Sequence, residues 1–127
     1  WNTATEEVLR YYAPVTMARR VVGDTSVQGC PVHTGDQVLV TFPAANHDPD
    51  VFERADELLI DREVNRHVAF GLGIHRCLGS NLARLEMKIA FQEWASAFPD
   101  YRIDPEQETT WTSGQIRGPR NIPVILR

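Results

Sequence analysis

Cys77 stands in the stretch Phe70-Gly71-Leu72-Gly73-Ile74-His75-Arg76-Cys77-Leu78-Gly79, in which glycine recurs at 71, 73 and 79. Glycine has no Cβ, so the backbone can turn tightly and come close to a flat partner. An apolar-periodic segment follows at once. The pattern therefore predicts a loop that delivers one cysteine to the start of a helix. Free N–H groups and the positive helix end there favour the thiolate. Such a thiolate is a soft anionic ligand for iron. Phe70 and His75 complete a loop with a face for a macrocycle. A buried, inert cysteine in a glycine-rich turn is the competing reading.

A second pattern lies upstream. Glu7 and Arg10 are three apart on a predicted helix and share a face. One carboxylate can accept two arginine forks, so such a network could pin a loop of little regular structure. A solvated helix face beside an unrelated loop arginine is the alternative.

At these residues the chain resembles the cytochrome P-450 (haem-thiolate monooxygenase) family. Phe70, Gly73, His75, Cys77 and Gly79 match the family's haem-binding loop. The family is itself the standard example of haem ligated by a cysteine thiolate. Glu7-Val8-Leu9-Arg10 is similar to its Glu-x-x-Arg helix, and Arg62 matches the third charge of that network. The resemblance implies haem b (iron protoporphyrin IX) as cofactor, with Cys77 as the iron ligand. It implies cofactor contacts at Phe70, Gly71, Gly73 and Gly79 and propionate contacts from Arg19 and His75. Arg20 is adjacent to Arg19, but neighbours on a strand point to opposite faces, so one of the two is expected to reach the haem. Val15, Thr16 and Met17, with Gln115 and Ile116, match segments that shape the substrate pocket. Packing and turn formation explain those five equally well.

Arg66, Arg76, Arg84 and Lys88 flank the cysteine. The resemblance makes them a proximal surface for an acidic electron donor, a ferredoxin or a flavin reductase. A solvated helix face is the alternative. The similarity covers the carboxy-terminal third of the family and is closest to soluble bacterial members. The long distal helix with its acid–alcohol pair has no counterpart, so no catalytic residue is assigned. The expected function is that of a monooxygenase fragment, whose parent inserts one oxygen atom of dioxygen into a small organic substrate. Rival readings are a peroxygenase or isomerase of the same family, or a non-catalytic haem-binding or interaction module.

Bulk properties narrow the classes. A chain of 127 residues with 43% hydrophobic residues is expected to form one domain burying about two-thirds of its unfolded surface. Net charge is −4 with no block of like charge, which gives no support to nucleic-acid or anionic-membrane binding. No apolar run approaches the roughly 18 residues of a membrane span. Lys88 is the one lysine beside twelve arginines. Arginine forks suit carboxylates, including haem propionates, although codon bias explains the same count. Cys30 and Cys77 form no disulfide framework and no C-x-x-C motif, so a reduced, cytoplasmic protein is expected. The chain opens on Trp1 rather than Met, and truncation is the expected cause.

The expected fold class is α+β, a single partial domain over 1–127 cut from a mostly helical fold. A short helix over 3–12 has Thr3 and Glu6 as a capping box, an apolar face of Val8, Leu9 and Tyr12, and Pro14 as its stop. The runs Arg20–Val22, Thr25–Gln28 and Gln37–Phe42 predict one small antiparallel sheet. A meander over 43–69 has helical turns near Ala44–Asn46 and Pro49–Phe52. The best helix spans 78–98, with Leu78, Leu82, Leu85, Ile89, Trp94 and Phe98 on its buried side. Strands at Tyr101–Ile103, Thr109–Trp111 and Ile122–Leu126 close the chain as a terminal hairpin.

Overall fold

The computed structural model describes all residues, Trp1–Arg127. Helix α1 spans Asn2–Tyr12, and Pro14, which has no N–H to give, stands just past its end. The expected capping box does not form. Trp1 occupies the N-cap with no side-chain cap bond, so Thr3 lies inside the helix. The Glu6 carboxylate is engaged elsewhere, by His67 and Arg84. The buried face is Thr5, Glu7, Leu9 and Arg10, while Tyr12 is exposed.

Strand β1 (Thr16–Arg20) pairs antiparallel with β4 (Gln37–Thr41), with Met17 opposite Val40 and Arg19 opposite Val38. Between them β2 (Thr25–Val27) and β3 (Cys30–Val32) make a separate hairpin. Gln28 at φ 48° and Gly29 at φ 83° form its two-residue turn. Positive φ at both positions matches the turn twist to the strand twist. The single sheet expected here is thus two ladders, and Val21–Val22 fall outside both.

Helix α2 (Phe42–Ala45) follows β4 directly, with Pro43 in its first turn. Proline is preformed for that position. The meander beyond it holds isolated hydrogen-bonded turns: the Asp48 carbonyl accepts from Val51 and Phe52, Arg54 O from Glu57 N, and Leu59 O from Arg62 N. A 3₁₀ turn at Gly73–His75 precedes α3 (Ser80–Ala97). The carboxy-terminal strands nest rather than forming one hairpin. β5 (Tyr101–Ile103) pairs with β8 (Val124–Leu126), and β6 (Trp111–Thr112) pairs with β7 (Gly118–Pro119) inside them. No helix is long and apolar enough to cross a membrane.

The expected buried stripe of α3 lies at the surface. Leu78, Leu82, Leu85, Ile89 and Trp94 are 100%, 60%, 54%, 47% and 40% exposed. The 3.6-residue period identified the helix, but burial needs a partner, and α1 lies on another flank, against Met87 and through the Trp1–Phe91 ring pair. Apolar burial is confined to Leu9, Ala13 and Ala69, with Phe70 and Met87 against them, and to Phe52 and Ala55.

The largest fully buried side chains are Arg10, Glu7 and Asn46. Glu7 Oε1 accepts from Arg10 Nη2 (2.8 Å) and Leu59 N (2.9 Å). Its Oε2 accepts from Arg10 Nε (2.8 Å), Arg62 Nε (3.0 Å) and Asn65 Nδ2 (2.9 Å). Arg10 uses all five of its N–H groups, donating further to the carbonyls of Asn46, Ala55 and Glu57. Arg62 adds the carbonyls of Glu53 and Arg54. Phe52 carries both guanidiniums over its ring, at 5.3 Å and 5.9 Å from the centroid. Removing one partner strands a buried charge, at a cost of about 3–5 kcal/mol. Glu7→Gln is therefore expected to lower stability by that amount in denaturant melts. Arg10→Lys should not rescue it, because an ammonium has three donors where five are used. A Glu7→Gln protein melting like wild type would contradict this.

Candidate functional site

The glycine loop is pinched shut at its base. Cys77 N donates to the Phe70 carbonyl at 2.9 Å, Gly71 N to Val68 O at 2.8 Å, and Arg76 N to Gly73 O at 3.1 Å. Gly71 and Gly73 take φ of +72° and +66°. An L-residue would be strained in both places. A Cβ on Gly71 would sit 3.6 Å from the Phe42 ring, an ordinary contact, so dihedral strain and not space calls for glycine. Cys77 is exposed, and a Cβ on Gly79 would lie 3.9 Å from its Sγ. Gly79 is the N-cap of α3, so the cysteine precedes the helix by three residues. Cys30 is also exposed, at the start of β3 and remote in sequence from the loop.

A cleft of about 770 Å³ opens beside the loop, and eleven of its sixteen lining residues are hydrophobic. Cys77, His75, Phe70 and Gly71 form one side. Met17 and Arg19 from one face of β1, and Val15 just before it, form another, with Val40 from the paired strand. Arg20 points to the other face, where its guanidinium approaches Gly35. Strand alternation thus separates the two arginines. Arg19 and His75 are exposed at the cleft.

The second wall segment also arrives. Val15 bridges Ile116, Thr16 N donates to Gln115 O at 2.9 Å, and Arg117 N to Pro14 O at 2.7 Å. The turn over 113–116 is thereby fastened to the start of β1. Of the five residues expected in a pocket, Val15 and Met17 line the cleft, while Thr16, Gln115 and Ile116 adjoin it through these bonds.

The basic group around the cysteine is not uniform. Arg66 and Arg76 are exposed and Lys88 is half-buried. Arg84 is not a free docking charge, contrary to expectation. Its Nε donates to Glu6 Oε1 at 2.6 Å and its Cζ lies 4.8 Å from the Phe70 ring centroid. Sequence spacing within α3 aligned it with Lys88, but the partner comes from α1. Sequence reasoning also missed His67, whose Nε2 meets Glu6 Oε2 at 3.0 Å while its Nδ1 accepts from Ala69 N. It missed Asn46 as well, which accepts from Val68 N and donates to the Arg10 carbonyl. An asparagine inside a loop carries no pattern that separates a structural bridge from a turn residue.

Burial opposes ionisation of Glu6 and Glu7. The hydrogen bonds from Arg84 and His67 to Glu6, and from Arg10, Leu59 and Arg62 to Glu7, outweigh it and hold both carboxyls below the ordinary value. Burial also lowers the His67 imidazole, against the opposing pull of Glu6.

Chemically, the site offers one soft sulfur donor, mostly apolar walls and two basic groups. No group of three or more His, Cys, Asp or Glu side chains gathers anywhere to cage a metal. Cys77 is thus a single donor, with no second metal-binding side chain clustered beside it in this chain. A flat apolar macrocycle with acidic edges fits that donor set.

Residues 2–110 match the family model described as cytochrome P450. The chain belongs to the cytochrome P450 family. It is 43% identical over 127 residues to the putative cytochrome P450 126 of Mycobacterium tuberculosis, an alignment covering 98% of this chain and 30% of that protein. It is 38% identical to the steroid C26-monooxygenase of Mycolicibacterium smegmatis, covering 97% and 31%. The solved structure of PksS, the cytochrome P450 of the Bacillus subtilis bacillaene polyketide synthase, superposes with a TM-score of 0.92 at 42% identity, over 98% of this chain and 33% of that one. The chain thus spans about a third of the length of the relatives it matches. Family membership implies a haem cofactor.

The two lowered carboxyls and the lowered imidazole act in the same direction. Each binds fewer protons folded than unfolded, so stability is full above the unfolded pKa and is lost as pH falls through the folded value. Melting temperature should begin to fall below the ordinary histidine value of 6.5. It should fall further below the ordinary carboxyl value of 4.5. His67→Gln is expected to flatten the near-neutral limb and leave the acidic one. A profile unchanged by that substitution would count against the assignment.

Proposed function

We propose that this chain is the haem-binding part of a haem-thiolate monooxygenase, with Cys77 as the iron ligand. The observation that carries the reading is the exposed Cys77 at the rim of a largely apolar cleft, with Arg19 and His75 on the same cleft. In this reading Phe70, Gly71, Gly73 and Gly79 shape the loop so that its backbone can lie against the ring of haem b. Arg19 and His75 bind the propionates, each a charge-assisted contact. When bound, the haem supplies the redox chemistry that inserts one oxygen atom of dioxygen into a substrate, and a thiolate ligand favours O–O cleavage.

The chain's own residues do the rest. The apolar walls exclude water and take a mid-sized, mostly apolar substrate. Val15, Thr16 and Met17 on one segment, and Gln115 and Ile116 on the other, set its shape. The relative named as a steroid C26-monooxygenase supports both the reaction class and an apolar substrate. Arg66, Arg76 and Lys88 offer positive charge to an acidic electron donor, a ferredoxin or a flavin reductase. A cytoplasmic location is consistent with these partners.

The reduced carbon monoxide complex of the full-length protein tests the ligand. A thiolate gives a Soret band well to the red of a histidine-ligated haem. Cys77→His should lose that shift and Cys30→Ser should keep it, and the reverse result would overturn the assignment.

Haem retention tests the edge contacts. Losing one charge-assisted hydrogen bond weakens binding by about tenfold or more. Arg19→Ala should release haem to an apo-globin acceptor that much faster, with Arg20→Ala close to wild type. Equal effects at the two positions would remove Arg19 from the site.

A further inference from the structure

We propose that Glu6 is a positioning residue for the Cys77 sulfur, a clamp separate from the Glu7 network. The inference rests on the haem-thiolate reading above. The two neighbouring carboxylates of α1 serve different segments. Every loop partner of Glu7 (Leu59, Arg62, Asn65) lies upstream of the cysteine loop. Glu6 instead holds the two arms of that loop. Its Oε2 meets His67 Nε2 at 3.0 Å on the segment leading in, and its Oε1 accepts from Arg84 Nε at 2.6 Å on the helix leading out.

The geometry carries through to the cysteine. The His67 side chain is 1% exposed, and its Nδ1 accepts from Ala69 N, which leaves the ring proton on Nε2 for Glu6. The Arg84 guanidinium lies 4.8 Å from the Phe70 ring centroid. The Phe70 carbonyl accepts the Cys77 N–H at 2.9 Å. One carboxylate thus fixes both ends of the loop, and through Arg84 it fixes the ring whose backbone anchors the ligand. Arg84 and Glu6 are partly exposed, at 25% and 30%, so the clamp contributes less to global stability than the buried Glu7 set and more to local position.

The test uses the full-length haem protein. Glu6→Gln should still bind haem and show the red-shifted carbon monoxide band. At a fixed interval below each protein's own melting midpoint, that band should convert to the short-wavelength form roughly tenfold faster than in wild type, the effect of one lost charge-assisted hydrogen bond. Matching the interval removes any general loss of stability. Glu6→Asp, which keeps the charge, should restore part of the difference. Exchange of the Cys77 amide proton should speed up in parallel. Conversion and exchange both at the wild-type rate in Glu6→Gln would overturn the proposal. If that variant does not fold, Arg84→Lys and His67→Gln give the same readings, and wild-type rates in both would overturn it equally. A wild-type protein lacking the red-shifted band would overturn the haem-thiolate reading instead, and amide exchange at Cys77 would still decide the clamp.

Discussion

The carboxylate of Glu7 organises this chain. From residue 46 to residue 72 the backbone has almost no regular structure, so its polar groups cannot be satisfied by a helix or a ladder. A buried carbonyl without a partner is costly. Arg10 and Arg62 supply the missing donors, reaching the carbonyls of residues 46, 53, 54, 55 and 57. Glu7 holds both guanidiniums in place and offsets their charge. The centre of the molecule is therefore ionic, with a small apolar cluster at its edge. Asn46 extends the network to Val68, two residues before the loop that carries the cysteine begins.

What could be read in the sequence follows from how local each signal is. The long helix, the strand runs and the glycine loop rest on short-range period and backbone preference, and the structure has them within a few residues. Glu7, Arg10 and Arg62 could be grouped because the family resemblance matches all three positions, the third of them in the meander. Their acceptors could not, because most are backbone carbonyls, which every residue has. The capping box failed because the same Glu6 had stronger partners more than sixty residues away. Arg84 was misjudged for the same reason, since its partner lies on a helix distant in the chain. The stripe on α3 shows the complementary limit: periodicity reports which side is apolar, not whether this chain covers it.

The cleft joins pieces that are remote in sequence. β1 supplies one wall, the cysteine loop a second, and the turn over 113–116 fastens beside them through the Val15–Ile116 bridge. Helix α1 touches each layer of this arrangement. Leu9 faces the cleft, Glu7 holds the meander, and Glu6 reaches the loop and α3. One eleven-residue helix thereby ties together segments that are remote from one another in the chain.

The pair Arg19-Arg20 at the end of β1 makes the cleft unusually tolerant of a register error in charge and intolerant in shape. A slip of β1 by one residue exchanges its two faces. If the slip brings Arg20 to the cleft, a guanidinium still lines it, but Ala18 replaces Met17 and Thr16 replaces Val15. An insertion or deletion near this strand would leave the electrostatics of the rim almost intact while recutting the apolar wall. Drift at this edge would therefore recut the outline of the cleft before it altered its charge.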